Sequence, residues 1–202
     1  MLFMKPSTAA IGPEAPIVYP RSSHVKESGD KKVEYEAELV VVIGREAQHV
    51  SEENALDYVL GYTCGNDVSE RVIQLSEMAM GCLLVGKGFD SFCPLRPVVE
   101  TDLAPANQQL QARINGQVKQ DFNTSDLLFS VPELVSYLST AITLSPGDVI
   151  LTGTAAGVGP IAPGDVVEID ISGVGVLRNP RRSRGVEERI RARADWIASP
   201  TS

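Results

Sequence analysis

The sequence predicts a sheet-rich α+β fold with a few short helices. Three features carry this expectation: strand-like runs that include Leu110–Ile114 and the alternating Val166–Ile171, a hairpin signal at Asn115-Gly116, and only two segments with both helical spacing and a helix cap. With 202 residues, 43% of them hydrophobic, the chain is long enough to bury one full core, so no second domain is required.

The opening segment is broken into short extended pieces by Pro6, Gly12-Pro13, Pro16 and Pro20, and reads as loop and edge strand. Polar residues 21–32 form a loop placed where a lid would sit, just before the most strand-like stretch, Val33–Ile43. Ser51 is then a helix N-cap with Glu52 and Glu53 in the first turn. Ala55, Leu56, Val59 and Leu60 give an apolar face, and the helix is expected to end near Gly61. The segment Tyr62–Ser69 carries Asp67 back toward the strand.

A better-marked helix follows Ser130, where Pro132 sits at the start and Glu133 at the capping-box position, with Leu134, Val135, Tyr137 and Leu138 as its buried face. Asn115-Gly116 joins Leu110–Ile114 to Gln117–Phe122 through a type I′ turn, and Val149–Thr152 and Val166–Ile171 supply further strands. From Arg178 the chain turns arginine-rich. Glu187, Glu188 and Asp195 interleave with the basic residues, as on a solvated surface helix or frayed extension rather than a nucleic-acid tail.

The formal net charge of -8 argues against a nucleic-acid or anionic-membrane surface and toward small-molecule chemistry. Three cysteines, Cys64, Cys82 and Cys93, lack the paired spacing of zinc sites and are expected as reduced, buried thiols. No apolar run has the length of a membrane span and the first residues lack a signal peptide's layout. The expectation is a cytoplasmic protein, with a mitochondrial matrix location left open.

Glu34, Glu36 and Glu38 alternate along Val33–Ile43 and so share one strand face, while Val33, Tyr35, Ala37 and Leu39 line the other. Carboxylates that close repel and lose hydration, and they persist when paired or when they hold a cation. Oxygen-only ligands favour magnesium, manganese or calcium over zinc. The pattern alone also fits an edge strand that carries charge against aggregation.

A family resemblance rests on an ordered set of short motifs: Phe3-Met4-Lys5-Pro6, Tyr35-Glu36-Ala37-Glu38-Leu39, Gly61-Tyr62-Thr63, Asn66-Asp67-Val68-Ser69, Lys87-Gly88-Phe89-Asp90, Asn115-Gly116, Pro146-Gly147-Asp148, Thr152-Gly153-Thr154 and Leu177-Arg178-Asn179-Pro180. Together they resemble the catalytic domain of the fumarylacetoacetate hydrolase family over residues 1–180, leaving 181–202 as an arginine-rich extension. The resemblance implies a mixed β-sandwich roll, a homodimer, and a metal held by Glu36, Glu38 and Asp67. The ion is usually magnesium, with manganese or calcium as alternatives, and Glu34 is a solvated neighbour rather than a ligand.

Three carboxylates leave open positions on an octahedral ion for the carboxylate and keto oxygen of a 2-oxo acid, and an ion there stabilises an enolate forming beside the keto group. By resemblance, Lys87 adds positive charge near that enolate or the substrate carboxylate. Gly153 and Thr154 supply backbone and hydroxyl donors to the substrate carboxylate, and Arg71 and Gln74 either line the pocket or hold the following helix in place. Hydrolytic relatives usually carry a His/Glu dyad before the Phe-x-Lys-Pro motif, whereas this sequence starts at that motif, so the dyad is expected to be missing. His24 and Glu27 repeat its spacing and are the candidate substitute, a histidine base oriented by a carboxylate. Ala155 stands where the family commonly has proline.

Three readings follow. The first is a metal-dependent hydrolase or decarboxylase cleaving the C–C bond beside the keto group of a short 2-oxo or 1,3-dioxo acid, such as an acylpyruvate, a fumarylacetoacetate-like compound or oxaloacetate. The second is a tautomerase or isomerase of oxaloacetate or a hydroxydienedioate, which needs no activated water. The third is a diverged metal-binding domain with little activity. The first is the reading adopted from sequence.

Overall fold

The computed structural model describes residues 2–18 and 32–182. In chain order its strands are β1 (Ala10–Ile11), β2 (Ile17–Val18), β3 (Val33–Tyr35), β4 (Ala37–Ile43), β5 (Val59–Asn66), β6 (Ser69–Glu70), β7 (Cys93–Pro94), β8 (Gln109–Ile114), β9 (Gln117–Asn123), β10 (Val149–Leu151), β11 (Gly159–Pro160), β12 (Val166–Ile171) and β13 (Gly175–Arg182). The helices are α1 (Arg71–Ala79), α2 (Val85–Gly88) and α3 (Val131–Ala141). The expected mixed, sheet-rich fold is present.

The largest sheet runs β2-β13-β12-β8-β9, and two smaller ones run β10-β4-β5 and β11-β3-β6. Burial of Leu39, Val41 and Ile43 on β4, Leu110 and Ala112 on β8, and Val167, Ile169 and Ile171 on β12 joins the sheets through one core. The turn between β8 and β9 takes Asn115 at φ 52 and Gly116 at φ 79, the two positive values a type I′ turn requires.

Val33–Ile43 is not one strand. It divides at Glu36, so β3 pairs with β11 and β6 while β4 pairs with β10 and β5. Side-chain amides replace the ladder at the break: Glu36 N donates to Asn66 Oδ1 at 3.0 Å and Ala37 N to Gln120 Oε1 at 3.0 Å.

The segment after Ser51 is a 3-10 helix, Glu52–Tyr58, rather than an amphipathic α-helix, and Val59 and Leu60 already belong to β5. Ala55 is buried, but Leu56 and Leu60 are exposed. Gly61 lies inside β5, not at a helix end. A Cβ there would come 2.4 Å from Glu100 O, so glycine is required by the close pass of the neighbouring backbone. α3 forms with its capping box, Ser130 N donating to Glu133 Oε2 at 2.6 Å, and it buries Val135 and Leu138. Tyr137, expected in its buried face, points outward and is 69% exposed.

Two further expectations are corrected. Cys64 and Cys93 are buried free thiols, but Cys82 is exposed. The chain continues in β13 through Arg182, with Arg181 buried, so Arg178 does not begin a detached tail. The expected lid and the remainder of the arginine-rich extension lie outside the described residues. Among the described residues no helix is long and apolar enough to cross a membrane.

Candidate metal centre

Antiparallel pairing of β4 with β5 sets Ala37 opposite Asn66 and Glu38 opposite Gly65. The chain then turns so that Asp67 N donates to Glu36 O at 3.0 Å. This register brings Asp67 beside the two glutamates although some thirty residues separate them in sequence. One carboxylate oxygen from each of Glu36, Glu38 and Asp67 lies within 4.8 Å of the others, and all three side chains are buried.

Three cations surround the cluster. Lys87 on α2 is 2% exposed and donates to Glu36 Oε2 at 2.9 Å and Asp67 Oδ2 at 2.6 Å. Arg71, the first residue of α1, donates to Glu36 Oε1 at 2.7 Å and Glu34 Oε2 at 2.6 Å. Glu34 is therefore a partly buried ion-pair partner rather than a solvated neighbour, and its pairing with Arg71 helps fix how Glu36 is presented. The Ser69 hydroxyl adds a bond to Glu36 Oε1 at 3.1 Å.

Lys5 was missed as a site residue. The Phe3–Pro6 motif is the sequence signal that contains it. Its ammonium donates to the carbonyls of Val68 (3.0 Å), Lys87 (2.6 Å) and Phe92 (2.8 Å). With those protons committed, its 2.7 Å approach to Asp67 Oδ1 is an ion pair without hydrogen-bond geometry, and Asp67 Oδ1 is left with no hydrogen-bond partner. Burial lowers the Lys5 pKa, opposed by the charge of Asp67.

Glu38 is in a different position. Its carboxylate accepts the Gly153 N–H at 2.6 Å, and among the described residues no cation pairs with it directly. Burial first, then the charges of Asp67 and Glu36, hold its pKa well above the ordinary carboxylate range. A buried Glu38 carboxyl with no cation on it among the described residues, beside Glu36 and Asp67, is what a divalent cation would satisfy. The all-oxygen donor set suits a hard ion. The residues present fit the metal that the resemblance implies.

The loop after β10 closes one side. The Thr154 hydroxyl donates to Ala37 O at 2.8 Å and accepts from Gln120 Nε2 at 2.8 Å, while Gln120 Oε1 takes the Ala37 N–H. Gly153 N–H is spent on Glu38, and Tyr35 Oη donates to Gly157 O at 2.7 Å. In this arrangement Gly153 and the Thr154 hydroxyl brace the ligand strand. Gln120 on β9 is buried, and nothing in the residue pattern around it marks it for this role. Gln74 is also buried and accepts from Arg71 Nη1 at 2.5 Å, supporting the arginine. His24 and Glu27 lie outside the described residues.

The model of the fumarylacetoacetate hydrolase C-terminal domain matches residues 1–181. The chain belongs to the fumarylacetoacetate hydrolase family. Among solved structures it is similar to a 5-carboxymethyl-2-hydroxymuconate delta-isomerase from Mycobacterium smegmatis, with 46% identity and a TM-score of 0.83 over 91% of this chain and 69% of that one. A fumarylpyruvate hydrolase from Pseudomonas aeruginosa in complex with Mn2+ and pyruvate matches at 30% identity and TM-score 0.82, over 90% of this chain and 78% of that one. An oxaloacetate tautomerase of Xenopus laevis, described as mitochondrial, is 39% identical over 190 residues, which are 89% of this chain and 57% of the relative. Named relatives in this family are thus hydrolases, isomerases and tautomerases, and one binds a divalent metal.

Proposed function

We propose that this chain is a divalent-metal-dependent enzyme that acts on a short 2-oxo or 1,3-dioxo acid by stabilising the enolate beside its keto group, and that its outcome is C–C bond cleavage, as hydrolase or decarboxylase. The buried Glu36–Glu38–Asp67 cluster with Lys87 on two of its members carries the reading. A divalent ion held there supplies positive charge to the substrate's keto and carboxylate oxygens as charge develops. Glu36, Glu38 and Asp67 hold it, and Arg71 and the Gly153 N–H orient Glu36 and Glu38. Lys87 adds a second positive charge from inside the protein, where low dielectric makes it effective. Burial of the cluster keeps bulk water from competing for those charges.

A second reading, tautomerase or isomerase of oxaloacetate or a hydroxydienedioate, draws support from identity: the isomerase and tautomerase relatives are 46% and 39% identical, the fumarylpyruvate hydrolase 30%. Both readings use the same residues to stabilise an enolate and differ in how it arises. In cleavage it forms as the C–C bond breaks and CO2 or a carboxylic acid leaves, and is then protonated to pyruvate. In tautomerisation it forms by loss of a C–H proton that returns to oxygen or carbon. Incubation with oxaloacetate and Mg2+ separates them. Pyruvate release supports cleavage, enol–keto exchange without release supports tautomerisation, and neither outcome removes both.

Magnesium as the working ion, a homodimer and a cytoplasmic location belong to the same proposal. The family resemblance supports the ion and the dimer, and the exposed Leu128 and Phe129 before α3 offer apolar surface that a second subunit would cover. Light scattering on purified protein measures the dimer directly.

A further inference from the structure

One buried acid near the site has no part in the chemistry just described. Glu77, in the last turn of α1, turns its carboxylate toward three consecutive backbone amides: Val85 N donates to Oε1 at 2.7 Å, and Gly86 N and Leu84 N donate to Oε2 at 2.9 and 3.2 Å. These are the first amides of α2, which is a single turn of four residues whose own N-cap, Leu84, makes no side-chain cap. A one-turn helix has no independent stability, and its leading amides have no partners within the helix. Glu77 supplies them from another element.

Lys87 is the third residue of that turn. Gly86 lies so close to α1 that an added Cβ would stand 2.6 Å from Gln74 N, so the turn rests on the backbone of α1 as well as on the Glu77 carboxylate. The same helix begins with Arg71, which holds Glu36. α1 therefore mounts both Arg71 and Lys87 against the carboxylates, one directly and one through Glu77.

We propose that Glu77 is a positioning residue for Lys87: by binding the 84–86 amides it sets where the Lys87 ammonium stands relative to Glu36 and Asp67. This rests on the proposed function only in that Lys87 serves the reaction. Glutamine at this position keeps one acceptor oxygen but turns an NH2 group toward an amide donor, and alanine keeps none, so the effect is graded.

The test makes Glu77→Gln and Glu77→Ala in the wild type and in a Lys87→Met background, and measures amide hydrogen exchange, Mn2+ binding, and turnover of oxaloacetate in whichever mode the wild type shows. In the wild-type background kcat is expected to fall about 10- to 100-fold, more for alanine than glutamine, with KM within about threefold and Mn2+ affinity little changed. Exchange at residues 84–86 rises at least about tenfold. In the Lys87→Met background Glu77→Gln costs nothing further. An equal loss in both backgrounds, or unchanged protection at 84–86, overturns the proposal. If the wild type turns over no 2-oxo acid, the enolate reading falls by itself and exchange at 84–86 decides the role of Glu77. Should Glu77→Ala fail to fold, Glu77→Gln carries the test.

Discussion

Lys87 Nζ and Asp67 Oδ2 lie 2.6 Å apart inside the protein, with both side chains 2% exposed. A lysine and an aspartate at that depth are costly to bury and persist because each compensates the other. Glu36 shares the same ammonium at 2.9 Å, so one side chain from a one-turn helix spans two of the three clustered carboxylates.

Replacing Lys87 with methionine keeps the volume and removes the charge. Turnover of a 2-oxo acid is expected to fall by about 10²- to 10³-fold, because a charge aimed at the developing enolate is lost. The metal-free variant is expected to lose roughly 2 kcal/mol of stability, because Asp67 and Glu36 each lose one cationic partner while Lys5 and Arg71 remain on them, and Mn2+ restores part of it. Steady-state kinetics and urea melts with and without Mn2+ check both.

Arg71→Lys is not conservative here. Arg71 reaches Glu34, Glu36 and Gln74 with three different nitrogens, and a lysine ammonium cannot span that arc. A loss of roughly 2 kcal/mol is expected, together with weaker Mn2+ binding because Glu36 is less well oriented. Denaturant unfolding and calorimetric titration measure the two effects.

Gly157 takes φ +102, and an added Cβ would meet Lys119 O at 2.4 Å. Gly157→Ala is therefore strained both by its own backbone and by a neighbour that cannot move cheaply. It is expected to cost about 2–3 kcal/mol and to loosen the Gly153–Glu38 contact, seen as a lowered Tm with reduced Mn2+ affinity.

Much of this was legible in the sequence where local rules and tertiary structure agree. Ser130 and Glu133 capped α3 as expected, and Asn115-Gly116 adopted its turn, because each depends on neighbours in the chain. Glu36, Glu38 and Asp67 were reached through the motif order, and the β4–β5 register brings them together. What escaped depends on distant partners. The break at Glu36 is made by Asn66 and Gln120, the burial of Glu34 by Arg71, and the strand at Gly61 by the passing backbone of Glu100. None of these partners shows in the pattern around the residue itself. Lys5, Gln120 and Glu77 were unread for the same reason, since each acts across 62 or more residues or through backbone atoms that sequence does not distinguish.

Burial raises the Cys64 thiol to about 12 and the Cys93 thiol to about 11 from an ordinary 9.0. Because the folded values lie above the unfolded one, the stability linked to these thiols is present in full below about pH 9 and is lost as pH rises toward 11–12. Urea midpoints should therefore drop between about pH 8 and pH 10.5, and less so in Cys64→Val. At about pH 8 a thiol reagent should label exposed Cys82 rapidly and the other two only after unfolding.

Calorimetric titration of the purified chain with Mn2+, alongside Glu38→Gln and Asp67→Asn, tests the central claim most directly. The account predicts one ion per chain in the wild type and a loss of affinity of at least about 100-fold in each variant, with the fold retained. Wild-type protein that binds no ion, or variants that bind it as tightly as the wild type, would contradict it.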